Sequence, residues 1–317
     1  MRLIDSHVHL FSRDNIENLN AVREHIGAER MVIVCCVDAA EQENSAAFAA
    51  KARYPGRFHV FAALDHSGHR SLVDQVDMLI RAGADGIKLL ETKPDSRKAL
   101  GIAADSDYFE PFFARVEQLG IPLIWHAADP PEFWQAELTP KWAADRGWAY
   151  DETFPSYEQI LGEVEHVLER HPKLQVVFAH FLFLSADLPR AARLLNRYEG
   201  VRFDIAPGIE LCYNLSRDVG RAREFFIEYA DRIIFGTDIW DALTLEQAAH
   251  RAGILVRFLK TADEFRVPEG ADELLGPPEE GIIHGLDLPE DALAKIFAAN
   301  IERLLERAPA GQDNGNG

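Results

Sequence analysis

Eight short runs of apolar, largely β-branched residues recur along the chain, and a segment of helical character follows each one. The runs are 2–6 (RLIDS), 31–37 (MVIVCCV), 58–64 (FHVFAAL), 86–91 (GIKLLE), 121–126 (IPLIWH), 174–180 (LQVVFAH), 201–205 (VRFDI) and 232–238 (RIIFGTD). Strands this apolar on both faces suit a parallel sheet covered by helices. Between them lie amphipathic segments such as 72–81, 157–170 and 188–198. Several stop at Pro55-Gly56, Gly83, Gly120, Pro172 or Gly200, where the next strand must be fed. Eight such units predict an α/β fold, a (β/α)8 TIM barrel, as one domain over 1–309. A doubly wound open sheet would more often carry fewer strands and a glycine-rich phosphate loop after the first, and no such loop is present.

Two stretches break the even spacing and predict a distorted barrel. The connection after His126 is the longest and opens ADPPEFWQAELTPKWAADRGWAYDETFP, rich in Trp, Pro and acids. It leaves the C-terminal end of a strand, the face where this fold builds active sites, so it reads as a lid or pocket loop. The second is the polar, Gly/Pro-rich stretch 265–288, before a final helix over 290–307. The tail, 310–317, has no core-forming residue and is expected to be disordered.

Totals narrow the function classes. With 47 % hydrophobic residues the chain can bury a large core, and 33 basic against 52 acidic residues leave a net charge of −19. A surface this acidic is repelled by phosphate backbones and anionic lipid, so neither nucleic acid nor membrane is an expected partner. Cys35, Cys36 and Cys212 are too few for a disulfide framework and read as reduced core residues. The opening MRLIDSHVHLF is interrupted by Asp5 and His7 and does not read as a signal peptide, and no apolar run approaches the ~18 residues of a membrane span. The expected compartment is cytoplasmic.

The chemistry lies at strand ends. His7 and His9 close the first run two residues apart, so both side chains take one side. His126 closes the fifth, His180 the sixth and Asp238 the eighth. In a barrel these ends meet around one axis. Imidazoles with a carboxylate match the nitrogen and oxygen ligands of Zn²⁺, and equally of Mn²⁺ or Fe²⁺. A lone His after a strand is more often a surface or hydrogen-bonded residue. It is the joint placement of five such residues that carries the argument. His25, His66, His69, His166, His171, His250 and His284 fall in helices or loops, and His59 at the wrong end of its strand.

The runs IDSHVHLF, IWHAADP, VFAHF and FGTDIW, with the ending LPEDALAKIFAANIERLL, resemble the amidohydrolase superfamily over nearly the whole chain. They are most similar to the amidohydrolase-related branch that contains aminocarboxymuconate-semialdehyde and resorcylate decarboxylases. The resemblance implies one divalent ion, most simply Zn²⁺, held by His7, His9, His126 and Asp238. It places His180 beside the water or substrate as a catalytic residue, and makes a homodimer a family-level expectation. A bound ion brings the pKa of its water to about 7. Asp238 could then shuttle the water's proton to the leaving group, and His180 could polarise a carbonyl or hold the attacking water.

Other roles stay open at this level. Two-metal relatives use a carboxylated lysine or a glutamate at the end of strand 4, where Lys88 and Glu91 stand on opposite parities, so only one can point inward. One ion is favoured, with Lys88 as a substrate contact or barrel-lining residue. Asp204 reads as a partner to a ligand, a substrate contact or a structural cap. Asp129, Glu132 and Trp134 are candidate pocket residues, although a solvated loop explains the acids as well, and Trp134, Trp142 and Trp148 could simply bury the loop. Trp125 should face the helices. The leading function is metal-dependent hydrolysis of a small lactone, ester or amide. Non-oxidative decarboxylation comes second and a non-catalytic ligand-binding barrel third. Cations near the site appear scarce (Lys88 or Lys93, Lys141, Arg146), which favours a neutral or sugar-like small-molecule substrate over a dianion.

Overall fold

The computed structural model describes residues 1–268, 271–272, 274–275 and 281–306. Nine strands form one sheet: β1 (Ile4–His9), β2 (Arg30–Val34), β3 (Phe58–Ala62), β4 (Gly86–Leu89), β5 (Pro122–Trp125), β6 (Gln175–Phe178), β7 (Val201–Asp204), β8 (Ile233–Ile234) and β9 (Ile239–Trp240). Their order is β8-β7-β6-β5-β4-β3-β2-β1-β9, and every pairing is parallel. β8 and β9 are two parts of one run. β8 pairs with β7 on one side, while the Ser6 N–H donates to the Phe235 carbonyl (3.0 Å) and the Asp238 N–H to the His7 carbonyl (2.9 Å) on the other. The first and last strands are thereby joined, and the sheet closes as a barrel.

The eighth run therefore differs from expectation. Asp238 does not end the strand; it interrupts it, with φ at +54°, and Ile239 resumes pairing with Val8. The gap is held by Asp5, whose carboxylate accepts from the Thr237 N–H (3.1 Å) and hydroxyl (2.5 Å). The runs of β2 to β7 overshoot their strands at the C-terminal ends, whereas β1 runs three residues past the run read for it, to His9.

Side-chain parity sorts the core. Ile4, Val32, Val34, Phe61, Ile124, Val177 and Ile234 point inward. Their neighbours Met31, Ile33, Val60, Leu123, Trp125, Val176 and Phe178 pack outward against the helices. The expected orientation of Trp125 is borne out: it is buried beside Phe113, and its Nε1–H donates to the Thr92 hydroxyl at 2.7 Å. Ala298, Ile301 and Leu304 join the inner cluster, so the C-terminal segment plugs the bottom of the barrel. That segment is a helix (Glu290–Ala294), a wider π turn (Lys295–Ala299) and a second helix (Asn300–Leu305), where one continuous helix was expected. Stretch 265–288 also holds an unforeseen element, an antiparallel pairing of Glu264–Phe265 with Ile283–His284. The expected disordered tail, 310–317, lies outside the described residues.

The helices Leu72–Arg81, Tyr157–Arg170 and Leu188–Arg197 stand where the periodicity put them. Each begins at a side-chain cap: the Ser71 and Ser156 hydroxyls and the Asp187 carboxylate accept from the N–H groups of Asp74, Gln159 and Arg190. Gly200 feeds β7 through a close backbone approach, since a Cβ there would lie 1.8 Å from the Leu174 carbonyl oxygen. Among the described residues no helix is long and apolar enough to cross a membrane.

Candidate metal centre

An irregularity in β1 between Asp5 and Val8 shifts its parity, so that Ile4 and, three residues on, His7 both face the interior. His9 follows on the same side. His7, His9 and Asp238 come together as a group whose ligand atoms all lie within 4.8 Å of one another. Asp238 Oδ1 stands 3.1 Å from His9 Nε2 and 3.6 Å from His7 Nε2. Nitrogen and oxygen ligands at about 2.0–2.2 Å from a tetrahedral ion sit roughly 3.3 Å apart, and the two separations bracket that value. The other ring nitrogen of His7, Nδ1, donates to Asp204 Oδ2 at 2.8 Å, which leaves Nε2 as a lone pair facing Asp238. A ligating histidine is held in this way by a carboxylate behind it. The donor set fits a divalent ion.

Electrostatics agree. Burial and Lys88 push the His7 pKa down, keeping the ring neutral. Burial opposes charge on His9 too, but Cys36 and Asp238 outweigh it and raise its pKa to about 10. Asp238 is ionised: burial works against it, yet the His9 hydrogen bond and the surrounding histidines hold its carboxyl well below the ordinary range. An incoming cation would take the place of the proton on His9.

Asp204 is the hub of this mouth. Besides His7, it accepts from the N–H groups of His180 (2.8 Å) and Ala206 (3.1 Å), and it is fully buried. It is therefore a partner to His7, and its full burial disfavours the substrate-contact reading. Its bond to His180 N–H holds the start of an unusual turn in which residues 180–183, none of them glycine, all have φ between +52° and +58°. Such conformations cost about 1–3 kcal/mol each and persist only where the surroundings enforce them. We expect Asp204→Asn to lower metal affinity about 10–100-fold, read as the metal retained per chain on dialysis; unchanged retention would contradict this role.

His180 sits two residues beyond β6. Its Nδ1 lies 3.2 Å from the Ala206 carbonyl, which only accepts, so the ring proton is on Nδ1 and Nε2 carries a lone pair. The ring packs 5.1 Å from that of His7 and 4.6 Å from that of His126. Burial and His126 lower its pKa to about 4. This tautomer cannot donate to a carbonyl from Nε2; it can accept from a water or hydroxyl.

His126 follows β5, and its N–H still bonds the Leu89 carbonyl, but it is outside the three-residue group. Its Nε2 lies 3.1 Å from Asp129 Oδ1. Burial keeps the ring neutral, so Nε2–H donates to Asp129 and Nδ1 carries the lone pair. Asp129 is also bound by Lys93 at 3.1 Å and by the Tyr150 hydroxyl. Burial opposes its charge, but Lys93, His126 and Tyr150 bring its pKa down to about 2. It braces His126 while also lining the pocket. Lys88 is inward and buried, with Nζ 3.3 Å from His7 Nε2. Glu91 turns away to His66 Nε2 at 2.8 Å.

The long loop after β5 walls the mouth, with Asp129 as expected but otherwise with different residues. Trp142, Trp148 and Phe133 line the pocket. Trp134 does not: its ring packs against Tyr150 and Tyr157, and its Nε1–H donates to the Pro155 carbonyl at 3.2 Å. A cleft of about 510 Å³ brings Lys88, Lys93 and Arg146 to its surface together. Lys93 Nζ lies 4.0 Å over the Trp148 ring. The apparent scarcity of cations is thus corrected, because three of the four candidates gather here while Lys141 pairs with Asp145 in solvent.

Sequence reasoning missed several contributors. Arg251, from the helix Leu245–Lys260, donates to the Asp238 carbonyl at 2.7 Å, pairs with Asp272 at 2.7 Å and lies over the Trp240 ring. It fixes the backbone that aims Asp238. Cys36, read as core, is half-buried and faces the cleft, with Sγ 3.6 Å from His9 Nδ1. Glu210, beside the pocket residues 207–209, is buried with Oε2 unpartnered. Burial raises its pKa from 4.5 to about 8. Its carboxyl is neutral in the folded chain below pH 8 and ionised above about 4.5 once unfolded, so its stabilising share is complete below pH 4.5 and lost as pH rises to 8. Glu210→Gln should flatten this slope by a few kcal/mol across the window, measured by urea unfolding at pH 5 and pH 8; an identical slope would sink the assignment.

Barrel and mouth together define a TIM-barrel enzyme. A sequence profile of the amidohydrolase family matches residues 4–307, and the chain belongs to that family. No curated protein sequence matches it. Among solved structures it resembles a 5-carboxyvanillate decarboxylase from Sphingomonas paucimobilis, at TM-score 0.61 and 12 % identity over 96 % of this chain and 99 % of that one. It also resembles a probable 2-pyrone-4,6-dicarboxylic acid hydrolase from Acinetobacter baumannii, at 0.55 and 16 % over 96 % and 100 %. A decarboxylase from Novosphingobium aromaticivorans with bound manganese matches at 0.56 and 12 % over 96 % and 97 %. At these identities the likeness is one of fold.

Proposed function

We propose that the chain is a metal-dependent hydrolase of a small carbonyl compound, a lactone, ester or amide, that also bears a carboxylate. The observation that carries this reading is the convergence of His7, His9 and Asp238, with His180 directly beside them. His7, His9, His126 and Asp238 would hold one divalent ion, Zn²⁺ or its Mn²⁺ or Fe²⁺ equivalents. Bound there, the ion supplies Lewis acidity and water activation near neutral pH. The remaining work falls to the chain. Asp204 and Asp129 orient His7 and His126. His180 Nε2 accepts from the attacking water, and Asp238 takes its proton and returns it to the leaving group. Lys88, Lys93 and Arg146 hold the substrate carboxylate, while Trp142 and Trp148 cover its apolar body.

The same three cations favour a second reading, decarboxylation of a small acid, in which the carboxylate is itself the leaving group. Incubating the metal-loaded chain with panels of carboxylated lactones, esters and aromatic acids separates the two. Ring opening or ester cleavage is expected. Carbon dioxide release with neither would overturn hydrolysis in favour of the lyase.

A further inference from the structure

His9 presents a different partner on each ring nitrogen. Nε2 faces Asp238, while Nδ1 faces Cys36 Sγ at 3.6 Å. Cys36 follows β2. Parity sends Cys35 outward into the core and Cys36 inward to the cleft. Behind it, on the helix Ala40–Arg53, stands Glu43, buried and bonded through Oε2 to the Cys36 N–H at 2.7 Å. A His9 ring nitrogen, Cys36 Sγ and a Glu43 carboxylate oxygen all lie within 4.8 Å of one another. A sulfur at about 2.3 Å and a nitrogen at about 2.0–2.1 Å from a tetrahedral zinc stand about 3.6 Å apart, and the thiol and imidazole already have that spacing.

We propose a second cation site on the β2 side of His9, formed by His9 Nδ1, Cys36 Sγ and the Glu43 carboxylate, with its open position toward the cleft. Its one-thiolate, one-imidazole, one-carboxylate set selects zinc, cobalt or cadmium over manganese or magnesium. A metal takes the thiolate and the unprotonated Nδ1 as ligands, so protons compete with it. The site would use the His9 nitrogen that the ion proposed beside Asp238 does not, so the two sites would compete for one imidazole.

The full chain as purified is titrated with Co²⁺ and, separately, with Cd²⁺, following the near-ultraviolet thiolate-to-metal charge-transfer band. In Asp238→Asn, which weakens the first site, the band should saturate near one equivalent; it should vanish in Cys36→Ser and require at least tenfold more metal in Glu43→Gln. Persistence in Asp238→Asn separates this site from the first, so loss of the hydrolase reading would leave it standing. Absence of any band in the wild-type chain, which needs no variant to fold, overturns the proposal. A band that survives Cys36→Ser, or a Glu43→Gln titration that superimposes on wild type, overturns it as well.

Discussion

Asp238→Asn should cost at least about 10³-fold in kcat, with most of the metal lost on dialysis. The two effects have separate causes. Removing a general acid–base group alone typically costs 10²–10⁴-fold, and here the same side chain also offers the ligand oxygen. Around it the structure places His7, His9, His180 and Lys88, for all of which Asp238 is a source of compensating charge. Asparagine keeps the shape and removes the charge. The His9 proton, held up to about 10 by Cys36 and Asp238 against burial, then loses one of its two stabilising partners. Taking one member from a buried ion pair costs about 3–5 kcal/mol, so the metal-free variant should also unfold at lower urea than wild type. Metal content by atomic emission, turnover and urea midpoint are measured on the same preparations. Full metal content with activity within tenfold of wild type would remove Asp238 from both roles.

The legibility of this site followed parity. His7, His9, His126 and Asp238 could be found because each stands at the end of an apolar run, and a closed barrel brings such ends together whatever their separation in sequence. The same period of two set Lys88 and Glu91 on opposite faces, and the register of Lys88 with Ile124, which faces the interior, decides which points inward. What parity could not supply was the route of the chain beyond a strand. The left-handed turn at residues 180–183 carries no glycine to announce it, so the choice between carbonyl-polarising and water-holding roles for His180 had no signal. Trp134, Trp142 and Trp148 are alike in composition, and only the fold of the loop puts two in the pocket and one behind Tyr150. Arg251 reaches Asp238 from a surface helix thirteen residues downstream, a contact set by packing rather than by any motif. Cys36 was misread because an apolar run looks the same whether a residue near its end is buried in the core or turned into the cleft.

His180→Ala separates catalysis from metal binding. With Nδ1–H committed to the Ala206 carbonyl and the ring neutral down to about pH 4 under burial and the neighbouring His126, Nε2 is a fixed hydrogen-bond acceptor throughout the neutral range. An unburied histidine, titrating near 6.5, would lose that acceptor as pH fell through 6; this one keeps it two units lower. The kcat of His180→Ala should therefore fall about 10²–10⁴-fold, while metal content stays at the wild-type level, because His7, His9 and Asp238 converge without it. In the wild-type chain, protonation of His180 removes the acceptor, so its contribution disappears as pH drops through about 4 and is complete above it. The deciding measurement is the ratio of activity lost to metal lost. If the two fall in parallel, His180 is a ligand and the water must be held by another group.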